Sequence, residues 1–252
     1  MTVAATSTYS RLTAAAERQG AAFAVLIDPE KQPVESLGGL TANCEAAGVD
    51  VLLIGGSSIQ DVDFESFTHR VRASTRIPIV GFPGSLRQIS SSLDAVLYLS
   101  IVSGRNPEFL IGRHVEVAPR IRDLGLEAIP TAYILIDSGS DTSVQRVTQT
   151  DPIPRDASRL AADTALAAQM MGMTLVYLEA GSGAKNSVTT EMVEAVVETC
   201  DVPVMVGGGL RTPRDVEDRV RAGARFIVIG NAIERRQDRA YLSELAAAAH
   251  VR

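Results

Sequence analysis

The sequence predicts a single TIM (β/α)8 barrel, and three observations support this fold class. Short runs rich in Val, Ile and Leu recur eight times between longer segments rich in Ala and charged residues. Such alternation, without hairpin turns, is typical of a parallel sheet whose strands are joined by helices. The chain has 252 residues, close to the roughly 250 that eight such units need in one closed barrel. We expect residues 1–252 to form one domain with a short N-terminal helical extension.

The strands are expected at the apolar runs, which are 23–28, 51–55, 77–82, 95–100, 127–136, 174–179, 202–207 and 226–230. An open dinucleotide-binding sheet is disfavoured because no Gly-x-Gly-x-x-Gly pattern follows the first run. The intervening segments carry helical patterns, such as the apolar periodicity after an acidic first turn in residues 189–198. Several helices should end at a glycine, which readily adopts the conformation of a helix C-cap. These glycines are Gly48, Gly125, Gly172 and Gly223.

One predicted connection is unusually long. Residues 138–156 form a polar stretch of 19 residues that contains Pro152 and Pro154, whereas such connections usually have about 2–6 residues. The stretch follows strand five, so it lies at the end of the barrel that carries catalytic residues. We interpret it as a lid or a substrate-guiding loop; an insertion without a role is the alternative.

The composition narrows the classes of function. A net charge of −6, from 24 basic and 30 acidic residues, disfavours a nucleic-acid surface, which needs clustered Lys and Arg. Cys44 and Cys200 lack metal-ligand spacing and are interpreted as buried thiols in a reducing cytoplasm. The N-terminus lacks the features of a secretory signal, and no apolar run approaches the ~20 residues that span a bilayer. We therefore expect a cytoplasmic protein.

Glycine-rich turns follow the last three strands, where a barrel gathers its active site. Gly-Gly-Gly at 207–209 and Gly-Asn at 230–231 would expose backbone N–H groups beside the start of a helix, whose dipole favours an anion. Gly-Ser-Gly at 181–183 would add a third side to the same site. The pattern predicts a phosphate site, and tight turns alone are the alternative.

The end of the first strand offers oxygen ligands for a metal ion. Asp28 ends the strand and Glu30 follows it, while Ser57 or Ser58 could reach across from the second strand. So sparse a ligand set suits Mg²⁺ that is completed by water and phosphate oxygens. For Asp28 a helix N-cap is an equally good reading, since a proline follows it.

Glu179 and Tyr177 lie at the end of the sixth strand, beside the predicted phosphate site. A carboxylate next to a bound anion is unfavourable unless it serves as a base or binds hydroxyl groups, so we assign Glu179 such a role. An ion pair with Lys185 or Arg211 is the alternative. Tyr177 points the same way as Glu179 on a strand, so both can face the barrel interior.

The sequence gives little support for catalysis by a histidine or by a Schiff-base lysine. His69, His114 and His250 lie away from the strand ends and are interpreted as surface or structural residues. The strand-borne lysine of a Schiff-base aldolase is missing from all eight runs. Lys31 could pair with a phosphate or be a solvated lysine in a turn.

Five motifs spread over residues 26–234 resemble the geranylgeranylglyceryl phosphate synthase family, TIM-barrel prenyltransferases that include the bacterial heptaprenylglyceryl phosphate synthases. They are Leu-Ile-Asp-Pro-Glu-Lys at 26–31, Gly-Gly-Ser at 55–57, Tyr-Leu-Glu-Ala-Gly-Ser-Gly at 177–183, Val-Gly-Gly-Gly-Leu-Arg at 206–211 and Ile-Gly-Asn-Ala-Ile-Glu at 229–234. Residues 103–112 look like the branch shared by some archaea and bacteria, whose members favour the geranylgeranyl chain.

The resemblance implies transfer of a prenyl group from a prenyl diphosphate, here geranylgeranyl diphosphate, to the 3-hydroxyl of sn-glycerol 1-phosphate in ether phospholipid biosynthesis. It implies that Asp28 and Ser57 bind Mg²⁺. Glu179 would take the hydroxyl proton or orient the hydroxyl, and Tyr177 would position the substrate or shield the cationic carbon. Glycerol 1-phosphate would be held by Tyr177, Leu178, Glu179, Ala180, Gly181, Ser182, Gly183, Gly208, Gly209, Gly230 and Asn231.

The family also suggests a homo-oligomer, a dimer or larger. The prenyl tail would need an apolar groove, to which Ala-rich helices with few bulky aromatic residues could contribute. An apolar helix surface of this kind could also support oligomerisation or transient contact with a membrane, although no transmembrane segment is expected. The alternatives are an isomerase or lyase that acts on a sugar phosphate, a donor of a different length such as heptaprenyl diphosphate, and a sensor of a phosphorylated ligand that has no enzymatic activity.

Overall fold

The computed structural model describes residues 7–56 and 62–251 and forms a closed barrel of eight parallel strands. The strands follow one another around the barrel in chain order, and the last pairs with the first. Each lies within two residues of its predicted bounds, so the predicted TIM barrel is confirmed. The strands are β1 (Ala22–Ile27), β2 (Val51–Ile54), β3 (Ile79–Gly81), β4 (Ala95–Ile101), β5 (Glu127–Leu135), β6 (Leu175–Glu179), β7 (Val204–Gly207) and β8 (Phe226–Ile229).

Helices join most of the strands. They are α1 (Thr8–Gln19), α2 (Leu37–Ala47), α3 (Phe64–Ser74), α4 (Arg113–Asp123), α5 (Ser143–Thr148), α6 (Ser158–Met170), α7 (Thr190–Thr199), α8 (Pro213–Arg221), α9 (Asn231–Arg235) and α10 (Arg239–Ala249). The four glycines predicted at helix ends all have positive φ angles, which confirms the C-cap interpretation. None of the described helices is long and apolar enough to cross a membrane.

The side chains of the strands alternate between two cores. Along β6, Leu175 and Tyr177 face the barrel interior, while Val176 and Leu178 pack against the surrounding helices. This alternation is the period of two that an extended strand imposes. Glu179 continues the inward-facing set beyond Tyr177, so the last inward position of β6 carries a carboxylate.

Helix α1 packs across the N-terminal end of the barrel. Its Leu12 and Ala16 belong to the interior core, and the ring of Tyr9 stacks on Phe226 at 6.5 Å. The N–H groups at its start, including that of Thr8 at 2.7 Å, donate to the carboxylate of Glu127. The other end of the barrel is therefore the one left for a ligand.

Two connections on that other end depart from simple strand–helix alternation. No helix follows β3, and residues 82–94 cross irregularly to β4, as expected for a stretch that contains Pro83, Gly84 and several serines. The long connection 138–156 contains secondary structure of its own: α5 forms within it, capped by Thr142, and Ile153 bridges to Ile136 in parallel.

Candidate active site

Two cavities lie side by side at the C-terminal ends of the strands. One is polar, has a volume of about 320 Å³ and is bordered by the ends of β1, β6, β7 and β8. The other is apolar and is enclosed by β4, α4, α5 and residues 82–89. Gly56, Phe82, Tyr133 and Val144 line both cavities, so the two spaces meet at these residues.

The polar cavity collects most residues singled out from the sequence. Its lining includes Asp28, Tyr177, Glu179, Gly181, Ser182, Gly183, Gly208, Gly209, Gly230 and Asn231. The side chains of Leu178 and Ala180 instead pack in the outer core, so only the backbone at these two positions is left for a ligand. Ser57 and Ser58 lie outside the described residues. Glu30 is exposed and does not belong to the described lining.

Glu179 contributes a buried carboxylate to the wall of this cavity. It is only 6 % exposed and accepts a hydrogen bond from the N–H of Gly181 at 2.7 Å. Burial raises its pKa to about 7, against the opposing effects of the Tyr177 hydroxyl and the Gly181 N–H. No ion pair with Lys185, Arg211 or another described residue balances it. The ion-pair alternative is therefore wrong, and the carboxylate can exchange a proton near neutral pH.

The glycines after β7 make room for this carboxylate. A Cβ atom at Gly207 would lie 2.3 Å from the hydroxyl oxygen of Tyr177 and 2.6 Å from Oε2 of Glu179. A Cβ atom at Gly208, where φ is +78°, would lie 2.5 Å from Oε1 of Glu179. The Gly-Gly-Gly motif thus allows the backbone of β7 to approach Glu179 closely, in addition to any contact with phosphate.

The same turns leave backbone donors without partners. The N–H groups of Gly208, Gly209 and Asn231 make no hydrogen bond to the described part of the chain. Across the cavity, Oδ1 of Asn231 accepts hydrogen bonds from the N–H of Gly183 at 3.0 Å and from the hydroxyl of Ser182 at 3.1 Å. Unpaired N–H groups around a cavity are the donors that an oxyanion requires.

Two arginines hold the loop that follows β6. Arg211 donates to the carbonyl oxygens of Ala184 and Lys185, and Arg219 donates to the carbonyl oxygen of Val188 at 2.8 Å. Arg211 lines the cavity and braces this loop through backbone carbonyls, and its guanidinium keeps its positive charge because both acceptors are neutral. The glycine turns supply backbone donors for an anion, and Lys31, Arg211, Arg235 and Arg236 add positive charge to the cavity lining.

Asp28 lies at the opposite edge of the polar cavity. Its side chain is 17 % exposed, and its Oδ1 accepts a hydrogen bond from the N–H of Glu30 at 3.1 Å, which closes a tight turn. Helix α2 begins later, with Ser36 at its N-cap position, so Asp28 does not cap that helix. Lys31 Nζ lies 3.1 Å from Oδ2 of Asp28 and 3.0 Å from Oε1 of Glu234.

This edge fits a magnesium ion whose protein ligands are few. A Cβ atom at Gly56 would lie 2.9 Å from Oδ1 of Asp28, so the glycine keeps the space beside the carboxylate open. No cluster of three or more His, Cys, Asp or Glu side chains that could hold a metal occurs within 7–56 and 62–251. Mg²⁺ often binds through one or two carboxylates and takes its other ligands from water and substrate phosphate.

Tyr133 is a site residue that the sequence reasoning missed. It pairs in register with Tyr177 across β5 and β6, and their ring centroids are 5.5 Å apart. Its hydroxyl is buried without a partner, and burial together with the charge of Glu179 raises its pKa well above 10. Alternate residues of β5 face the barrel interior, and Tyr133 is one of them near the C-terminal end of the strand, as Tyr177 is in β6. This alternation in the sequence could have identified it.

The apolar cavity was predicted only as an unspecified groove. It is walled by apolar and aromatic side chains that include Phe82, Leu86, Ile89, Val96, Leu97, Leu99, Ile101, Phe109, Val117, Ile121 and Val147. Its polar members are few, and His114 is one of them, with a ring 4.5 Å from that of Tyr98. His114 is therefore a wall residue of the groove. His250 instead pairs with Asp50 at 2.9 Å, as expected of a structural histidine.

The long connection 138–156 covers the junction of the two cavities. Val144 of α5 lines both spaces, and a Cβ atom at Gly181 would lie 2.6 Å from the Thr142 side chain. The connection thus packs directly against the predicted phosphate motif. Its role as a lid or substrate guide stays a prediction.

Comparison with known proteins gives a consistent result. The model of the PcrB family matches residues 15–248. Proteins from Chitinophaga pinensis and Spirosoma linguale, both named geranylgeranylglyceryl phosphate synthase, are 43% and 42% identical to this chain. The first alignment covers 90% of both chains, and the second covers 89% of this chain and 90% of its relative.

The fold comparison points the same way. The crystal structure of (S)-3-O-geranylgeranylglyceryl phosphate synthase from Thermoplasma acidophilum, in complex with sn-glycerol-1-phosphate, superposes with a TM-score of 0.90 at 32% identity. The match covers 97% of this chain and 99% of that one. A thiamine phosphate pyrophosphorylase from Pyrococcus furiosus, with a TM-score of 0.59 at 16% identity, shares the barrel fold alone.

Proposed function

This chain belongs to the PcrB family, and from that membership we propose that it is a geranylgeranylglyceryl phosphate synthase. It would transfer the geranylgeranyl group from its diphosphate to the 3-hydroxyl of sn-glycerol 1-phosphate and release diphosphate. One observation carries the proposal: a polar cavity with unpaired N–H donors meets an apolar cavity at Tyr133, beside the buried carboxylate of Glu179. A reaction between a small phosphorylated alcohol and a long hydrocarbon needs both spaces.

The polar cavity would hold glycerol 1-phosphate. Its phosphate would accept hydrogen bonds from the N–H groups of Gly208, Gly209 and Asn231, which have no partner among the described residues. Gly181, Ser182, Gly183 and Gly230 would complete the cavity wall, and Tyr177 would position the glycerol portion. The backbone supplies these donors at fixed positions, so little ordering cost accompanies binding.

Glu179 would act on the glycerol hydroxyl. As the bond between C1 of the prenyl group and the diphosphate oxygen breaks, C1 becomes cation-like and the glycerol oxygen attacks it. The hydroxyl proton then passes to the Glu179 carboxylate, whose pKa of about 7 suits a general base near neutral pH. Placement of the two reactants in line accounts for a large further part of the rate enhancement.

The apolar cavity would hold the prenyl tail. Its walls offer the aliphatic and aromatic surface that a hydrocarbon chain needs in order to leave water. Tyr133 and Phe82, which line both cavities, would lie closest to the reacting carbon. The π face of an aromatic ring stabilises a nearby positive charge.

Asp28 would hold Mg²⁺, with Ser57 as the second protein ligand that the family resemblance implies. When bound there, the ion would neutralise charge that develops on the departing diphosphate. Asp28 is suited to this role because its carboxylate stands at the cavity edge beside the space that Gly56 leaves open.

We also propose a homo-oligomer that works in the cytoplasm. Two buried free thiols, Cys44 and Cys200, suit a reducing compartment. Exposed apolar side chains near the groove, Ile111 at 59% and Val115 at 67% exposure, provide a surface for a second subunit or for transient membrane contact. Light scattering during size-exclusion chromatography, with and without vesicles of archaeal-type ether lipids, tests both associations.

The deciding experiment is incubation of the protein with labelled sn-glycerol 1-phosphate, Mg²⁺ and prenyl diphosphates of ten to thirty-five carbons. We expect an ether product, greatest with the twenty-carbon geranylgeranyl donor. A preference for the thirty-five-carbon donor would change the assigned chain length, and the absence of product with every donor would overturn the proposal. A sugar-phosphate isomerase or lyase is not favoured, because it has no use for the apolar cavity.

A further inference from the structure

Lys31 makes two ion pairs at the edge of the polar cavity that the reaction described above does not explain. Its ammonium lies 3.1 Å from Asp28 and 3.0 Å from Glu234, so one cation bridges the end of β1 and helix α9, which follows β8. The Lys31 side chain is 43% exposed and lines the cavity. An ammonium has three N–H donors, and two suffice for these carboxylates, which leaves one directed to neither.

Glu234 ties this lysine to the predicted phosphate loop. Its second oxygen, Oε2, accepts a hydrogen bond from Nδ2 of Asn231 at 3.0 Å. The amide oxygen of Asn231 in turn accepts the hydrogen bonds from Ser182 and Gly183. A chain of contacts therefore runs from Asp28, at the predicted metal edge, to the loop after β6. If Asp28 binds a metal ion, Lys31 keeps its second anchor at Glu234.

The balance of charge shows why a cation is needed at this edge. Asp28 and Glu234 carry two negative charges against the one positive charge of Lys31, and a diphosphate adds several more. Three arginines also line the cavity: Arg211 donates to backbone carbonyls, Arg236 pairs with Asp238 at 2.7 Å and lies over the ring of Tyr241, and Arg235 is exposed and makes no ion pair with a described residue. None of the three forms an ion pair with Asp28. Lys31 is the cation that stands directly beside Asp28.

We propose that Lys31 binds the diphosphate group of the prenyl donor, and that its ion pair with Glu234 keeps the ammonium in place when Asp28 takes a metal ion. The inference rests on the proposed function, which makes a diphosphate the ligand at this edge. Lys31 forms charge-assisted hydrogen bonds to the diphosphate oxygens, while the glycerol phosphate is held by the backbone donors on the far side of the cavity. Lys31 therefore contacts one substrate directly and not the other, and the hydrogen bond from Asn231 to Glu234, which does not involve Lys31, continues to hold the phosphate loop.

Calorimetric titration with inorganic diphosphate in Mg²⁺, and separately with sn-glycerol 1-phosphate, tests this division. We expect Lys31→Met to bind diphosphate at least about tenfold more weakly, as for loss of a charged hydrogen bond, and to keep its affinity for glycerol 1-phosphate. Lys31→Arg should recover most of the diphosphate affinity, because it restores the positive charge. The matched control is Lys185→Met, which removes the other lysine of the chain; it lies outside the described lining of the cavity and should leave both affinities unchanged.

Steady-state kinetics give a second measurement: in Lys31→Met the KM for the prenyl diphosphate should rise, while the KM for glycerol 1-phosphate stays constant. Unchanged diphosphate binding in Lys31→Met would overturn the proposal. An equal loss of affinity for diphosphate and for glycerol 1-phosphate would also overturn it, because Lys31 would then only stabilise the loops. Failure of the Lys31 proposal can be distinguished from failure of the proposed function. Diphosphate binding that depends on Lys31, without lipid product from any donor, would reject the prenyltransferase assignment alone.

Discussion

Tyr133 and Tyr177 face each other on neighbouring strands of the barrel interior, with ring centroids 5.5 Å apart and planes inclined at 76°. The two hydroxyls are buried, and neither makes a well-formed hydrogen bond to a described residue, although the Tyr177 hydroxyl lies near enough to Glu179 to lower the pKa of that carboxyl. An unpaired buried hydroxyl costs free energy. Two unpaired hydroxyls beside a buried carboxylate lower the free energy of unfolding at this place and create a polar site from which water is largely excluded.

Replacement of Tyr133 by Phe separates stability from catalysis. The ring stays in place and the unpaired hydroxyl is removed, so the free energy of unfolding should stay constant or rise by about 1 kcal/mol. Turnover should fall, because the hydroxyl stands where the two cavities meet, while the KM values for both substrates change little. Urea unfolding and steady-state kinetics measure the two effects.

Tyr9→Phe is the control for Tyr133→Phe. The Tyr9 hydroxyl donates to the carbonyl oxygen of Thr174 at the opposite end of the barrel, so its loss should lower stability by about 1 kcal/mol and leave turnover unchanged. Wild-type turnover in Tyr133→Phe would show that the hydroxyl has no part in the reaction.

Replacement of Glu179 by Gln should reduce kcat by about 100-fold or more, the range for loss of a general base. Binding of glycerol 1-phosphate should persist, since the amide retains the size of the carboxyl and can still accept the hydrogen bond from Gly181. Calorimetry and single-turnover kinetics separate these effects. Glu194→Gln, at an exposed position of α7, serves as the matched control, and near wild-type kcat in Glu179→Gln would remove the assignment as base.

The pKa of Glu179 also predicts two pH dependences. The pH dependence of kcat/KM reports on the free enzyme. We expect kcat/KM to decline as pH falls through about 7, the folded-state pKa of Glu179, because the base becomes protonated. This acidic limb should be lost in Glu179→Gln. A pH profile in which both proteins share the limb would assign it to another group.

The same carboxyl should lower the free energy of unfolding as pH rises, whereas it raises kcat/KM over the same range. The folded pKa of Glu179 lies above the ordinary value of 4.5, so the folded state binds the proton more tightly. Its burial therefore costs nothing below pH 4.5, and the cost grows until pH passes about 7. Glu179→Gln removes this cost and should be more stable than wild type by up to about 3 kcal/mol at pH 8, with little difference at pH 4.5. Thermal unfolding at both pH values tests this; equal stabilities at pH 8 would contradict it.

Replacement of Gly207 by Ala should damage the site through sterics. The added methyl group would overlap the Tyr177 hydroxyl and Glu179 carboxylate, so both must shift, at a cost of about 1–3 kcal/mol and with a large loss of kcat. Gly38→Ala offers the contrasting control, because Gly38 is at an exposed position of helix α2 and nothing lies within 4 Å of the added atom. That variant should gain about 0.5–1 kcal/mol and keep full activity.

Replacement of Val117 by Phe should narrow the apolar cavity. Val117 packs against the cluster of Ile89, Val96 and Ile121 in the cavity wall. The larger ring should reduce kcat/KM for the geranylgeranyl donor relative to the shorter farnesyl donor by about tenfold or more, without a change in glycerol 1-phosphate affinity. An unchanged preference would mean that the prenyl tail lies elsewhere.

Much of the fold and part of the site can be predicted from the sequence because both are encoded locally. The apolar runs of the eight strands reflect the period of a strand, and glycines such as Gly48 and Gly223 reflect the left-handed φ angle of a helix end. Glu179 is the last residue of β6, and Asp28 directly follows β1, as glycine turns follow other strands. Since parallel strands in a barrel end on one face, their proximity follows from the fold alone.

Tertiary structure alone decided the remaining features, because each depends on groups far apart in the chain. The distance from Lys31 to Glu234, the unpaired hydroxyl of Tyr133 and the apolar cavity beneath α5 arise only when distant segments pack. The pKa of Glu179 near 7 belongs to the same class, because its main cause is burial by neighbouring strands. The sequence determined which groups stand at the strand ends; packing determined their charge, their partners and the space that two substrates can share.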